Sequence, residues 1–182
     1  MYRISYVIEI VLDLLKEKTH VREMARNIGA SPMQVSRGVK ELLKSNVVDF
    51  SEQGKNKVYF LKKTAEARSY VIMAENYKLN KLLSKYPSLR GIVEKIQNDR
   101  RIKMALFFGS YASFSANEKS DIDIFIETGD RKLRNEMNLY DSRASVKIGS
   151  YDKSEPLVKE IDSNHVIIKG SDDYYEKSRF FG

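Results

Sequence analysis

Gly109-Ser110, ten intervening residues, then Asp121-Ile122-Asp123 form the stretch of this chain best suited to chemistry. Residues two apart on a β-strand share a face, so the two aspartates project together with their Cα atoms about 7 Å apart. Ile122, Ile124 and Ile126 turn the other way, toward a core. Aspartate is disfavoured in strands, and two carboxylates on one face repel each other unless a cation lies between them. Mg²⁺ is the natural ion, because it takes hard oxygen ligands and shares its shell with phosphates. Glycine at 109 lets the backbone approach a triphosphate closely. Ser110 offers a hydroxyl and is predicted to cap a helix whose N–H groups also favour phosphate.

The elements that must position this stretch begin near Ile102, where short apolar runs start to alternate with polar helical segments. Met104 to Phe108, Asp121 to Glu127 and Ala144 to Gly149 read as strands, and Val166 to Ile168 as a last short one. Arg131 to Tyr140 reads as a helix or an ordered loop, and Glu155 to Ile161 as helical. The tail Asp172-Asp173-Tyr174-Tyr175 reads as a surface segment packed by its tyrosines. Together these predict an α/β arrangement around a small mixed sheet. Arg100, Arg101 and Lys103 flank the first strand, and Arg131, Lys132 and Arg134 follow the second. Each set fits either an anion contact or a solvated surface.

Upstream, residues 3–18 show helical spacing through Ile4, Val7, Ile8, Val11, Leu12 and Leu15. Val21 to Ile28 forms a second helix, ended by Gly29. Ser31 can cap a third helix, with Pro32 at its first position, running to about Lys44. Val35, Val39, Leu42 and Leu43 form its inner stripe. Strands follow at Val47–Ser51 and Lys57–Leu61, around a Gly54-Lys55-Asn56 turn. Three helices and a basic-tipped hairpin resemble a winged helix-turn-helix. That resemblance implies double-stranded DNA as partner and a role in transcription regulation. The third helix would enter the major groove through Gln34, Ser36, Arg37 and Lys40, and Lys55 and Lys57 would touch the backbone from the wing.

Thr64 to Tyr86 is a long helical segment, with Thr64 as its cap and Pro87 as its end. Its tyrosines 70, 77 and 86 fit a stripe that packs against either domain or a second copy, so a homodimer is one expectation. Ser88 to Asn98 continues helically. The expected organisation is residues 1–63, a connecting helix over 64–86, and residues 87–182.

Composition narrows the classes. Of 182 residues, 42% are hydrophobic, enough for a core in each part. The net charge of +7 is uneven: residues 1–63 carry 12 Lys and Arg against 7 Asp and Glu, residues 64–182 carry 20 against 18. The front third is thus the better polyanion binder. The absence of cysteine excludes disulfides and thiolate metal sites. Arg3, Glu9 and Asp13 interrupt the apolar start, so neither a signal peptide nor a membrane span is expected, and a cytoplasmic protein is. His20 and His165 lie far apart without partners at ligand spacing, which suits surface or capping roles rather than metal binding.

Gly109-Ser110 followed by Asp121-x-Asp123 resembles the signature of the nucleotidyltransferase superfamily. Over roughly residues 88–182 it most resembles the minimal nucleotidyltransferases of prokaryotic antitoxin gene pairs. The resemblance implies that Gly109 and Ser110 hold NTP, that Asp121 and Asp123 are catalytic and bind Mg²⁺, and that a toxin-like protein is a further candidate partner. The fold class is then α+β, a winged helix-turn-helix followed by a nucleotidyltransferase-like domain. The chain departs from the family at the third carboxylate, which belongs on the next strand. Ala144-Ser145-Val146-Lys147-Ile148-Gly149 places Ser145 and Lys147 on that face. Asp141 and Asp152 flank the strand but do not follow its alternation. Two readings result: an enzyme moving NMP from Mg-NTP to a hydroxyl, or a catalytically impaired regulator that binds DNA and senses a nucleotide or partner protein.

Overall fold

The computed structural model describes residues 2–54 and 56–181. It divides into two compact units, Met1–Tyr77 with Phe181–Gly182, and Lys78–Phe180.

In the first unit, α1 (Tyr2–Lys16), α2 (Val21–Ile28) and α3 (Pro32–Lys44) precede an antiparallel hairpin of β1 (Val48–Gln53) and β2 (Asn56–Leu61). Ile10 and Val11 of α1 pack in a core with Met24 of α2 and Val35, Val39 and Leu42 of α3. The inner face of α1 differs from the expected one. Ile10 and Leu14 are buried, whereas Leu12 and Leu15 are only half-buried. Asp13 on this face is buried too, because the Asn27 amide of α2 donates to its carboxylate at 3.0 and 3.3 Å. A satisfied polar pair thus takes a place that periodicity gives to apolar residues. α3 opens on a capping box: the Ser31 hydroxyl accepts from the Gln34 amide at 3.3 Å, and Gln34 Oε1 accepts from the Ser31 backbone N–H at 3.0 Å. α4 (Ala65–Lys85) is started by Thr64, whose hydroxyl accepts from Ala67 N–H at 3.2 Å. Its early turns belong to the first unit and its last turns to the second.

The second unit runs through a single 3₁₀ turn (Pro87–Leu89), α5 (Arg90–Asn98), β3 (Met104–Phe107), α6 (Gly109–Ala112) and β4 (Ile122–Glu127). α7 (Lys132–Tyr140), β5 (Ala144–Gly149), α8 (Pro156–Ser163), β6 (Val166–Lys169) and α9 (Ser171–Lys177) follow. The sheet order is β5-β4-β3-β6. β4 and β5 are parallel, while β3 is antiparallel to both β4 and β6, so the sheet is mixed. Ile122, Ile124 and Ile126 enter one core with Phe107, Val146 and the α5 residues Ile92 and Ile96. The first expected strand ends one residue early, at Phe107, and the segment after β4 is a helix rather than a loop.

The tail is helical: residues 171–177 form α9, which leaves Asp172 exposed and packs inward through Tyr174 and Tyr175, the residues expected to pack it. Hydroxyl chemistry explains how a phenol is accommodated there. Tyr151 and Tyr174 both donate to Asp162 Oδ1, at 2.6 and 2.9 Å, so the phenols enter the interior with an acceptor waiting. His165, expected in a surface or capping role, is buried rather than on the surface: it lies beside the Tyr174 ring, with centroids 4.5 Å apart, and its Nδ1 is 2.9 Å from the Ile161 carbonyl oxygen in the last turn of α8. Gly170 makes the turn into α9 at φ +79°, and an added Cβ would press on the Lys103 carbonyl oxygen and lie 3.0 Å from Met104 Cα. Both are backbone atoms of the central strand's approach, with no flexible end to yield. Gly170→Ala is therefore expected to lower unfolding free energy by about 2–4 kcal/mol, read as a reduced urea midpoint.

Candidate functional site

β3 and β4 bring the two halves of the Gly-Ser…Asp-x-Asp stretch together. Their register pairs Phe107 with Ile124, so β3 ends beside the start of β4. The Phe108 N–H then donates to the Asp123 carbonyl at 3.1 Å. The chain turns at Gly109, φ +64°, in the left-handed region. A Cβ at Gly109 would sit 2.5 Å from Asp123 Oδ2. The glycine is therefore required twice, by its backbone angle and by the carboxylate lying against it.

Ser110 does not cap a helix. α6 is one turn of four residues, its N-cap position is Phe108, and no side chain caps it. The Ser110 carbonyl instead anchors the loop, accepting from the N–H groups of Ser115 and Ala116 at 3.0 and 3.1 Å and from the Ser113 hydroxyl at 3.1 Å. The loop is held from outside as well. Lys85 Nζ donates to the Phe114 carbonyl at 2.6 Å and the Tyr86 hydroxyl to the Ala116 carbonyl at 3.3 Å. Phe114 is kept at φ +58°, a strained angle for a bulky residue. Sequence spacing gave no sign of these supports, because Lys85 and Tyr86 lie 29 and 30 residues from the carbonyls they hold.

Asp121 is exposed and Asp123 half-buried. Burial is the main cause lifting the Asp123 carboxyl above its ordinary pKa. A hydrogen bond from Ser145 opposes it, the Asp121 charge adds to it, and the Lys147 charge opposes it. Strand pairing explains the neighbours: Asp123 pairs with Ser145 across the parallel β4–β5 ladder, and Lys147 pairs with Phe125 one step along the same face. Asp141 and Asp152 stay apart from the site. Asp141 pairs with Arg143 at 2.9 Å, and Asp152 accepts from the Ser154 N–H at 2.9 Å. Among the described residues, no three Asp, Glu or His side chains gather as a metal group. The donor set at Asp121 and Asp123 fits one Mg²⁺ completed by phosphate oxygens and water. It does not fit a second ion, because the neighbouring strand supplies a hydroxyl and an ammonium in place of a carboxylate.

On α3, Arg37 and Lys40 are exposed and Ser36 is half-buried. With Tyr6, Gln34, Glu41 and Lys44, the two basic residues line an open hollow of about 650 Å³. Gln34 is also exposed, but its amide oxygen is committed to the capping box. Lys57 on the hairpin lies over the Phe50 ring at 3.9 Å, and Lys55 lies outside the described residues.

Residues 90–174 match the family model described as "Polymerase beta, Nucleotidyltransferase". The matched residues lie within the second unit, whose mixed sheet is consistent with a nucleotidyltransferase-like domain. A solved structure titled "Crystal structure of the toxin-antitoxin with AMP-PNP" is similar at 20% identity, over 57% of this chain and 78% of that one, with a TM-score of 0.34. No curated protein matches the sequence. Among the described residues, no helix is long and apolar enough to cross a membrane.

Proposed function

We propose that the second unit binds a Mg-nucleoside triphosphate and transfers the nucleotidyl group to a hydroxyl acceptor. The observation that carries this is the seating of the Asp123 carboxylate directly against a left-handed Gly109. Gly109 and Ser110 would give the phosphates a close backbone approach, and Asp121 and Asp123 would hold the metal. When bound, Mg²⁺ supplies Lewis-acid polarisation of the phosphoryl oxygens. Ser145 keeps Asp123 oriented. Incubation with labelled NTPs, Mg²⁺ and RNA, protein or small-molecule hydroxyl acceptors tests this. Product that depends on Asp121 and Asp123 supports it, and no product from any acceptor counts against it.

One observation favours a second reading: β5, paired with β4, offers Ser145 and Lys147 and no carboxylate on the aspartate face. In that reading the site holds nucleotide without turnover. Lys147→Asp separates the two. It is expected to raise transfer at least about tenfold if the missing charge limits the rate, since a single electrostatic group in such a site is worth about 10²–10³-fold. A silent Lys147→Asp variant that still binds nucleotide favours sensing.

For the first unit we propose a winged helix-turn-helix that binds double-stranded DNA. The exposed Arg37 and Lys40 on α3 support this, and the hairpin lysine stacked on Phe50 adds a fixed charge at the expected wing. Lys40→Ala is expected to weaken duplex binding and to lower the slope of log affinity against log salt by about 1. Arg37→Ala is expected to weaken binding more on some sequences than others, as a base contact would. Electrophoretic or fluorescence titrations at several salt concentrations read both effects.

A further inference from the structure

A cavity of about 720 Å³ opens at the end of the sheet opposite Asp121 and Asp123. The ends of the parallel strands β4 and β5 border it through Glu127, Gly129 and Ser150, and the approach to β3 does so through Lys103. The volume lies in the range of small-molecule pockets. Glu127 lies four positions beyond Asp123 along β4, roughly 13 Å at strand rise, so the cavity is separate from the site at the start of that strand.

The charges around it are of two kinds. Arg101 is bound to Asp99, Asp130 and Glu136 at 2.6–3.1 Å, and Lys177 to Glu127 at 2.7 Å. Glu127 thus balances Lys177, and Arg101 is held by three carboxylates, so neither cation is free for a ligand. Lys103 and Arg131 also line the cavity, and among the described residues neither has an ion-pair partner. Asp173 of α9 faces the same space as an unpaired acceptor. Two free cations call for an anion, and a carboxylate beside them calls for a hydroxyl donor on the same molecule. A phosphorylated sugar satisfies both, with its phosphate between Lys103 and Arg131 and a sugar hydroxyl on Asp173, as acidic residues bind ribose elsewhere.

We propose that this cavity is a second ligand site, for a phosphosugar or a nucleoside monophosphate. It does not depend on the function assigned to the first site. The test uses full-length protein carrying Asp121→Ala and Asp123→Ala, which disables the first site. Ribose 5-phosphate, adenosine 5′-monophosphate and inorganic phosphate are titrated calorimetrically at matched ionic strength. Saturable one-to-one binding of either ribose compound, several-fold tighter than inorganic phosphate, is expected. Lys103→Ala or Arg131→Ala should weaken it at least tenfold, and Asp173→Asn should remove the preference over inorganic phosphate. The tighter of the two ribose compounds identifies the source of the phosphate. No saturable binding, equal affinity for inorganic phosphate, or unchanged affinity in the Lys103 and Arg131 variants would overturn the proposal. Both basic side chains are exposed, so their replacement leaves the fold intact.

Discussion

Asp123→Asn is expected to cut the proposed nucleotidyl transfer steeply and, at neutral pH, to raise the melting temperature. The loss of transfer should be about 10³-fold, the scale on which removing one preorganised electrostatic group acts. The gain in stability has a separate cause. Burial, reinforced by the Asp121 charge, lifts the Asp123 carboxyl above its ordinary value, and Ser145 and Lys147 offset this only in part. A carboxyl whose pKa is higher in the folded state favours folding fully below the unfolded value. That contribution is lost as pH rises through the folded value. At neutral pH the ionised Asp123 therefore opposes the fold, and asparagine relieves the opposition while keeping a partner for Ser145. The stability difference between the two proteins should shrink as pH falls into the ordinary carboxylate range. Thermal melts between pH 3 and 8, on the order of one pH unit apart, read the effect. A variant less stable than the parent at neutral pH would contradict this assignment.

Gly109→Ala is expected to damage the same site through the backbone. The left-handed angle costs an L-residue about 1–2 kcal/mol, so a stability loss of that size should appear in urea denaturation. The larger effect is functional. The new methyl would lie 2.5 Å from Asp123 Oδ2. The carboxylate can swing away, but then it no longer faces the phosphate loop. Mg-nucleotide affinity should fall at least tenfold, or about 1.4 kcal/mol. Because the methyl acts by displacing the carboxylate, Gly109→Ala should cost little further affinity once Asp123 is already alanine. A double-mutant cycle measures that coupling, and full additivity would show that the contact is not what matters.

Much of this architecture is legible in the chain because its elements carry strong local signals. The Ile122-Ile124-Ile126 alternation leaves one face for the aspartates, and Ser31-Pro32 marks the start of α3. Legibility fails where a polar contact overrides periodicity. Asp13 is buried because Asn27 meets it, and His165 is buried where its Nδ1 meets the Ile161 carbonyl. The site divides in the same way. The Gly-Ser…Asp-x-Asp spacing marks the stretch, and strand alternation puts Ser145 and Lys147 on the acidic face, whereas the seating of Gly109 against Asp123 follows from the β3–β4 pairing and is seen only in the structure. The helix-capping role assigned to Ser110 does not survive, because α6 is a single turn whose N-cap position is Phe108, and the Ser110 carbonyl instead fixes the loop. Packing by Tyr86 is legible as part of a tyrosine stripe, but the hydrogen bonds by which Lys85, at the end of α4, and Tyr86, just after it, hold the loop carbonyls have no local signal.

The central claim is that Gly109, Asp121 and Asp123 form one Mg-nucleotide site. Calorimetric titration of the full chain with a non-hydrolysable NTP analogue, with and without Mg²⁺, tests it most directly. One nucleotide per chain is expected to bind with Mg²⁺, at least tenfold more weakly with the metal chelated, and with the affinity lost in Asp121→Ala/Asp123→Ala. Binding that is indifferent to Mg²⁺ and unchanged in that double variant, or no binding by the native chain, would contradict it.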